Sequence, residues 1–265
     1  MKPYPYYQVN AFSNSVYGGN PAGVCPLTNW LPTEVMQQLA AENNLSETAF
    51  FVTRDDGSFD IRWFTPEFEI DLAGHPTLAT AWVIFNLLGF TGNVITFHSK
   101  SGPLYVNKKD NLLVMDFPSR MPKPQNIPLG LREGIIGKGP SKILKSRDWV
   151  LVFDNATDVA NVKVDYTWLN RLADTVGIIA TAPGEDCDFV SRFFVPNSVI
   201  GEDPVTGSAH ASLVPFWAEK LGKNNLLAKQ ISKRGGVLYC ENQGDRVKIA
   251  GECVLYLKGE YYLYE

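Results

Sequence analysis

The sequence predicts an α+β fold of two pseudo-symmetric halves, each a mixed barrel-like sheet around a central helix. Three observations carry this: a long internal repeat, a largely apolar helix in each copy, and short alternating strands on either side. Residues 62–89 read RWFTPEFEIDLAGHPTLATAWVIFNLLG, and residues 192–222 read RFFVPNSVIGEDPVTGSAHASLVPFWAEKLG. Arg62, Phe64, Pro66 and Ile70 recur as Arg192, Phe194, Pro196 and Ile200. After a three-residue insertion, Gly74, Leu88 and Gly89 match Gly207, Leu221 and Gly222. SGPLY at 101–105 answers GGVLY at 235–239, so the likeness extends beyond one motif.

In the first half, alternation predicts strands at 7–12, 49–53 and 60–64, with an amphipathic helix at 33–43 opened by Pro32 and Thr33. A helix at 76–88 follows, stopped by Gly89. Its Leu78, Ala81, Trp82, Ile84, Phe85 and Leu88 make it apolar nearly all round, as in a buried helix. Short strands are expected at 94–98, 102–106 and 112–117. The second half repeats the order: a strand at 149–153, a helix at 166–174, strands at 177–181 and 188–194, a helix at 208–221, then strands to the end. Four prolines in 118–128 mark the linker. The expected halves are 1–118, completed by a C-terminal strand at 255–265, and 119–254.

Composition narrows the function classes. The chain has 265 residues, 45% of them apolar, enough for a large core. A net charge of −4 gives no field that would gather nucleic acid. The start, MKPYPYYQVN, lacks the apolar stretch of a signal peptide, and the longest apolar stretch, 78–90, is too short to span a bilayer. Cys25, Cys187, Cys240 and Cys253 form no CxxC and read as reduced thiols, so a cytoplasmic protein is expected. His75, His98 and His210 lack metal-ligand spacing with one another or with a cysteine, so no metal is expected. Ser208 with His210 lacks a GxSxG and gives no hydrolase signal.

In both halves a glycine-containing loop, DLAGHPT or GEDPVTGSAH, runs into the apolar helix. Helix N-termini present unpaired N–H groups and partial positive charge, a ready site for a carboxylate. Gly74 and Gly207 taken singly are ordinary loop glycines; their matched positions favour an anion site that needs no arginine clamp. His75 is either a capping or packing group or a proton carrier. Asp203, before Pro204, is either a turn residue or a functional carboxylate. Glu47 is either a solvated loop residue or, beside Ala49, Phe50 and Phe51, a desolvated carboxyl able to act as acid and base.

Four motifs in this order, NAFSNSVYGGNPAGVC, NLSETAFFV, RWFTPEFEIDLAGHPTLA and GEDPVTGSAH, resemble the PhzF-like phenazine-biosynthesis family, which has the diaminopimelate-epimerase fold. The likeness covers nearly the whole chain. It implies a homodimeric, cofactor-independent isomerase of a small carboxylate, with its active site between two pseudo-symmetric halves. Glu47 is then the general acid/base, His75 and Asp203 assist proton transfer, and Ser46, Gly74, Gly207 and Ser208 line the anion site. In the phenazine pathway the substrate is a dihydro-hydroxyanthranilate whose ring double bonds are moved. Epimerases and proline racemases of this fold use one cysteine from each half. Here the corresponding residues are Ala73 and Thr206, which cannot supply a thiolate, so two-thiol racemisation is not expected. A non-catalytic metabolite or protein binder and a racemase with a single acid/base are the alternatives. Tyr17 and Asn20 are the candidates for specificity.

Overall fold

A computed structural model, describing residues 1–173 and 175–263, shows how these patterns are realised. The chain divides into two units, Met1–Asp116 with Ala250–Glu265, and Phe117–Ile249. In the first, β1 (Lys2–Ala11) pairs antiparallel with β2 (Asn20–Leu27). Helix α1 (Thr33–Asn43) turns Met36 and Ala40 onto Cys25, Phe50 and Phe64, and ends where Asn44 adopts the left-handed conformation (φ 50°). This crossover makes β3 (Glu47–Thr53) parallel to β2. β4 (Phe59–Phe64) returns antiparallel to β3, and β5 (Glu69–Ile70) pairs with its end.

Helix α2 (Gly74–Leu87) follows, and ten of its fourteen residues are buried. Burial all round would strand the hydroxyls of Thr77 and Thr80, but they donate to the carbonyls of Ala73 and Pro76 at 2.6 and 2.7 Å. Leu88 is not core: it lies just past the helix end and is 44% exposed. β6 (Val94–Ser99) then runs parallel to β4, followed by the antiparallel β7 (Gly102–Lys109) and β8 (Leu112–Pro118). The C-terminal strand, Cys253–Leu263, pairs antiparallel with β1; the last two residues of the expected strand lie outside the described residues.

The second unit opens with a two-residue strand β9 (Ile135–Ile136), then β10 (Lys142–Lys145) antiparallel to β11 (Trp149–Val152). Helix α3 (Ala156–Asn161), β12 (Lys163–Val164) and α4 (Tyr166–Leu169) make the crossover to β13 (Ile178–Pro183), which is parallel to β11. The helix expected at 166–174 is only the one-turn α4, and α3 and β12 precede it. Asn155 and Asp165 cap α3 and α4, and residue 174 lies outside the described residues. β14 (Phe189–Phe194), β15 (Glu202–Asp203), α5 (Gly207–Leu221), β16 (Asn225–Gln230) and β17 (Gly236–Asn242) repeat the order and the pairings of β4 to β7, and β18 (Arg246–Gly251) follows. Trp217 of α5 stacks on Phe189 at 5.7 Å and donates its ring N–H to Thr181 Oγ1, which lets a large amphipathic ring be wholly buried. Pro215 lies inside α5 and has no N–H for the carbonyl of Ala211. The backbone N–H of Arg120 donates to that carbonyl at 2.9 Å, and Lys123 pairs with Lys145, so the proline-rich segment is fastened to this unit.

The repeat extends to side chains. Arg62 grips Glu69 through two bonds of 2.8 Å, and Arg192 grips Glu202 through bonds of 2.7 and 2.8 Å. Register corrects one sequence match: Phe64 faces Glu69 and Phe194 faces Glu202, so the insertion precedes β15, and Asp203, not Ile200, takes the place of Ile70.

Arg192 also donates to the carbonyls of Val159, Ala160 and Val162, capping α3. Arg192→Leu strands a mostly buried Glu202 and these carbonyls, and is expected to cost about 2–4 kcal/mol. Arg54→Ala, at the exposed pair with Asp60, is expected to cost at most about 1 kcal/mol. Urea unfolding of the two variants measures the contrast; equal losses would contradict it.

Candidate active site

In the first unit the polar centre is where β3 begins beside the first turn of α2. Strand pairing sets Glu47 opposite Ala22 at the first position of β3, and its side chain is only 18% exposed. It is thus not the solvated loop residue that one reading of the sequence allowed. His75, on the first turn of α2, is buried, with Nε2 3.3 Å from Glu47 Oε2. It does not cap α2; on its other side Asn20 Nδ2 lies 3.2 Å from Nδ1. The donor in that pair is set by the ring tautomer, and the Pro21 carbonyl also takes a ring N–H. Asn20 is therefore an orienting residue buried beneath the histidine, whereas Tyr17 is 78% exposed.

Burial lowers the His75 pKa from 6.5 to about 3, against an opposing hydrogen bond with the Pro21 backbone. The ring is neutral at pH 7, so its contact with Glu47 is a polar contact to a carboxylate rather than an ion pair. A neutral ring puts no positive charge beside Glu47. Ser46 immediately precedes Glu47 and is half-buried, and Gly74 starts α2 with Ala73 as its N-cap.

In the second unit, Thr206 is the N-cap of α5 and Gly207 its first residue. The Thr206 hydroxyl donates to Asp203 Oδ2 at 2.5 Å. Gln230, at the buried end of β16, accepts from the Thr206 N–H at 2.8 Å and donates to the Asp203 carbonyl at 2.8 Å. Ser232 donates to the Pro204 carbonyl at 2.7 Å. The loop 203–206 is thus held at both ends, which fixes the direction of the Asp203 carboxylate. Ser208 accepts from Arg147 Nη2 at 3.1 Å, so an arginine reaches the start of α5. Arg147, Thr206 as a positioning group and Gln230 were not identified from the sequence. The signals were SRD directly before the apolar WVLVF and a glutamine closing the alternating NLLAKQ.

Register identifies the counterparts of these groups. Thr48 opposes Phe64 as Ile178 opposes Phe194, so Gly177 occupies the position of Glu47 in the second unit. A Cβ at Gly177 would lie 2.0 Å from the Phe193 ring. The second unit is therefore built without a carboxylate there. A cavity of about 420 Å³ near the C-terminal end of α5, lined by Pro215, Gly222, Lys223 and Asn224 among others, contains none of the residues above.

A family model described as phenazine biosynthesis-like protein matches residues 9–259. An uncharacterized isomerase of Pseudomonas aeruginosa is 47% identical over 257 residues, covering 97% of this chain and 98% of its own. The crystal structure of a PhzF-family phenazine biosynthesis protein from Enterococcus faecalis aligns with a TM-score of 0.94 at 46% identity, covering 99% of this chain and 100% of that one. A hydroxyproline epimerase from Agrobacterium vitis aligns with a TM-score of 0.61 over 98% of this chain and 92% of that one; at 8% identity it shows a shared fold alone. The α+β architecture is thus of the epimerase type. No helix among the described residues is long and apolar enough to cross a membrane.

The buried histidines fix a pH dependence. His210 Nδ1 donates to the Thr206 carbonyl at 2.9 Å, and burial lowers its pKa to about 4. Below pH 6.5 the unfolded chain takes up protons at His75 and His210 that the folded chain refuses until about pH 3 and 4, so acidification through that window removes stability. His210→Asn keeps an N–H donor and removes one titrating ring. Its melting temperature should fall less steeply than that of the wild type between pH 7 and 4.5; parallel curves would show that His210 is not held neutral.

Proposed function

The chain belongs to the phenazine biosynthesis-like (PhzF-like) family and is an isomerase; from this premise we propose that it moves a carbon-bound proton within a small carboxylate substrate, with Glu47 as the acid/base. The observation that carries the reading is the mostly buried Glu47 carboxylate beside a neutral, Asn20-oriented His75. Glu47 takes a proton from a carbon next to an activated position; the C–H electron pair moves into the adjacent π system, and the proton returns to a different carbon. Nothing is gained or lost overall, so the step needs no oxidant or reductant.

His75 orients Glu47. Asp203, held by Thr206, assists the transfer and binds a polar group of the substrate. Ser46, Gly74, Gly207 and Ser208 supply hydrogen bonds to the substrate's acid and hydroxyl groups, the helix starts adding partial positive charge. Two-thiol chemistry does not enter, because Ala73 and Thr206 are the N-caps of α2 and α5. Burial pushes the Cys25 and Cys240 thiols up, away from thiolate.

The test is incubation with small carboxylic acids in heavy water, reading isomerised product and carbon-bound deuterium by mass spectrometry. Glu47→Gln, folded to the same melting temperature within a few degrees, should lower turnover about 10²–10⁴-fold. Undiminished turnover in this variant would remove Glu47 from the mechanism. Acids that raise the melting temperature but never exchange a carbon-bound proton would favour a binder, and inversion at one carbon a racemase.

A further inference from the structure

We propose that Arg147 is the residue that selects a negatively charged substrate group, holding a carboxylate at the start of α5 beside Ser208. The inference rests on the reading of Ser208 as part of the substrate site and adds to it a charged recognition element. Arg147 lies between β10 and β11, with its side chain 29% exposed. Nε lies 3.1 and 3.0 Å from the two Asp148 oxygens, and Nη2 lies 2.7 Å from Oδ2 and 3.1 Å from the Ser208 hydroxyl. The guanidinium is therefore held in one plane against the helix start by a neighbour that is only 1% exposed.

Cations lie near the carboxyl that holds Arg147. Burial raises the Asp148 pKa, opposed by Arg147, Lys145 and Arg120. The start of α5 adds its own partial positive charge beside Arg147. Asp148 holds Arg147 from the buried side, which leaves Nη1 without a hydrogen bond to the described residues and able to take an incoming carboxylate. Ser146 Oγ, 2.7 Å from the buried Ser212 hydroxyl on α5, fastens the same link to the helix.

Register shows that this device belongs to one unit only. Gly23 pairs with Thr48 as Trp149 pairs with Ile178, so the first-unit counterpart of Arg147 is Pro21, which carries no charge. The two units have diverged in complementary ways: the first carries the carboxylate that moves the proton and has no cation at this position, and the second has the cation and a glycine in place of that carboxylate.

The experiment titrates butanoate, benzoate and anthranilate, each beside its neutral carboxamide, against the wild type and three variants by calorimetry. Arg147→Met alone strands a buried carboxyl, so the decisive variant is the double change Arg147→Met/Asp148→Asn, with Asp148→Asn and Arg147→Lys as companions. The double variant should bind the tightest acid at least about tenfold more weakly, with carboxamide binding unchanged. Asp148→Asn, which loses the internal pair and keeps the cation, should bind the acid as well as the wild type or better, and Arg147→Lys should lie between. Equal loss in Asp148→Asn and in the double variant would make Arg147 a purely structural partner of Asp148 and overturn the inference, as would unchanged acid binding in the double variant. If the wild type binds none of the acids, the carboxylate reading of the site falls first, and this inference with it.

Discussion

The start of α2 must bury a histidine against a glutamate, and much of the first unit follows from that constraint. A buried imidazole is tolerated when it is neutral; Asn20 lies against one nitrogen and Glu47 faces the other. Asn20 and Glu47 are the first residues of β2 and β3, strands that are parallel because α1 crosses between them. The crossover helix, the parallel register and the apolar α2 together bring three side chains distant in sequence to one point. Shifting β3 by one residue would turn Glu47 to the other face of the sheet.

The repeat shows which parts are structural and which are specialised. The bidentate Arg–Glu pairs, Arg62 with Glu69 and Arg192 with Glu202, occupy equivalent positions and fasten the short strand before each buried helix. They belong to the shared scaffold. Glu47 against Gly177, Pro21 against Arg147 and Ile70 against Asp203 break the symmetry, and all three breaks fall at the ends of strands beside a buried helix. Substituting Gly177 would require Phe193 to move, so the second unit could regain a carboxylate there only by repacking its core.

Much of this was legible in the sequence because it depends on pattern. The internal repeat announced the matched units, the apolar run announced α2, and the four motifs pointed to the family. What was hidden depends on register and burial. Nothing local marks Asn20 as the partner of His75 or Gln230 as the brace of Asp203, since each contact joins residues far apart in the chain. The false match of Ile70 with Ile200 arose because an insertion cannot be placed within a loop without the strand ladder. Nothing local marks Arg147 either, since its contact with Ser208 joins residues sixty-one apart on different elements.

His75 is neutral at pH 7 beside the mostly buried Glu47, and the proton-transfer reading depends on it. Nitrogen NMR of the histidine-labelled protein tests this most directly, with His75→Gln supplying the assignment. One ring nitrogen should be protonated and the other not, with no titration between pH 8 and 5. A ring protonated at both nitrogens at pH 7 would make the contact an ion pair and overturn the neutral His75.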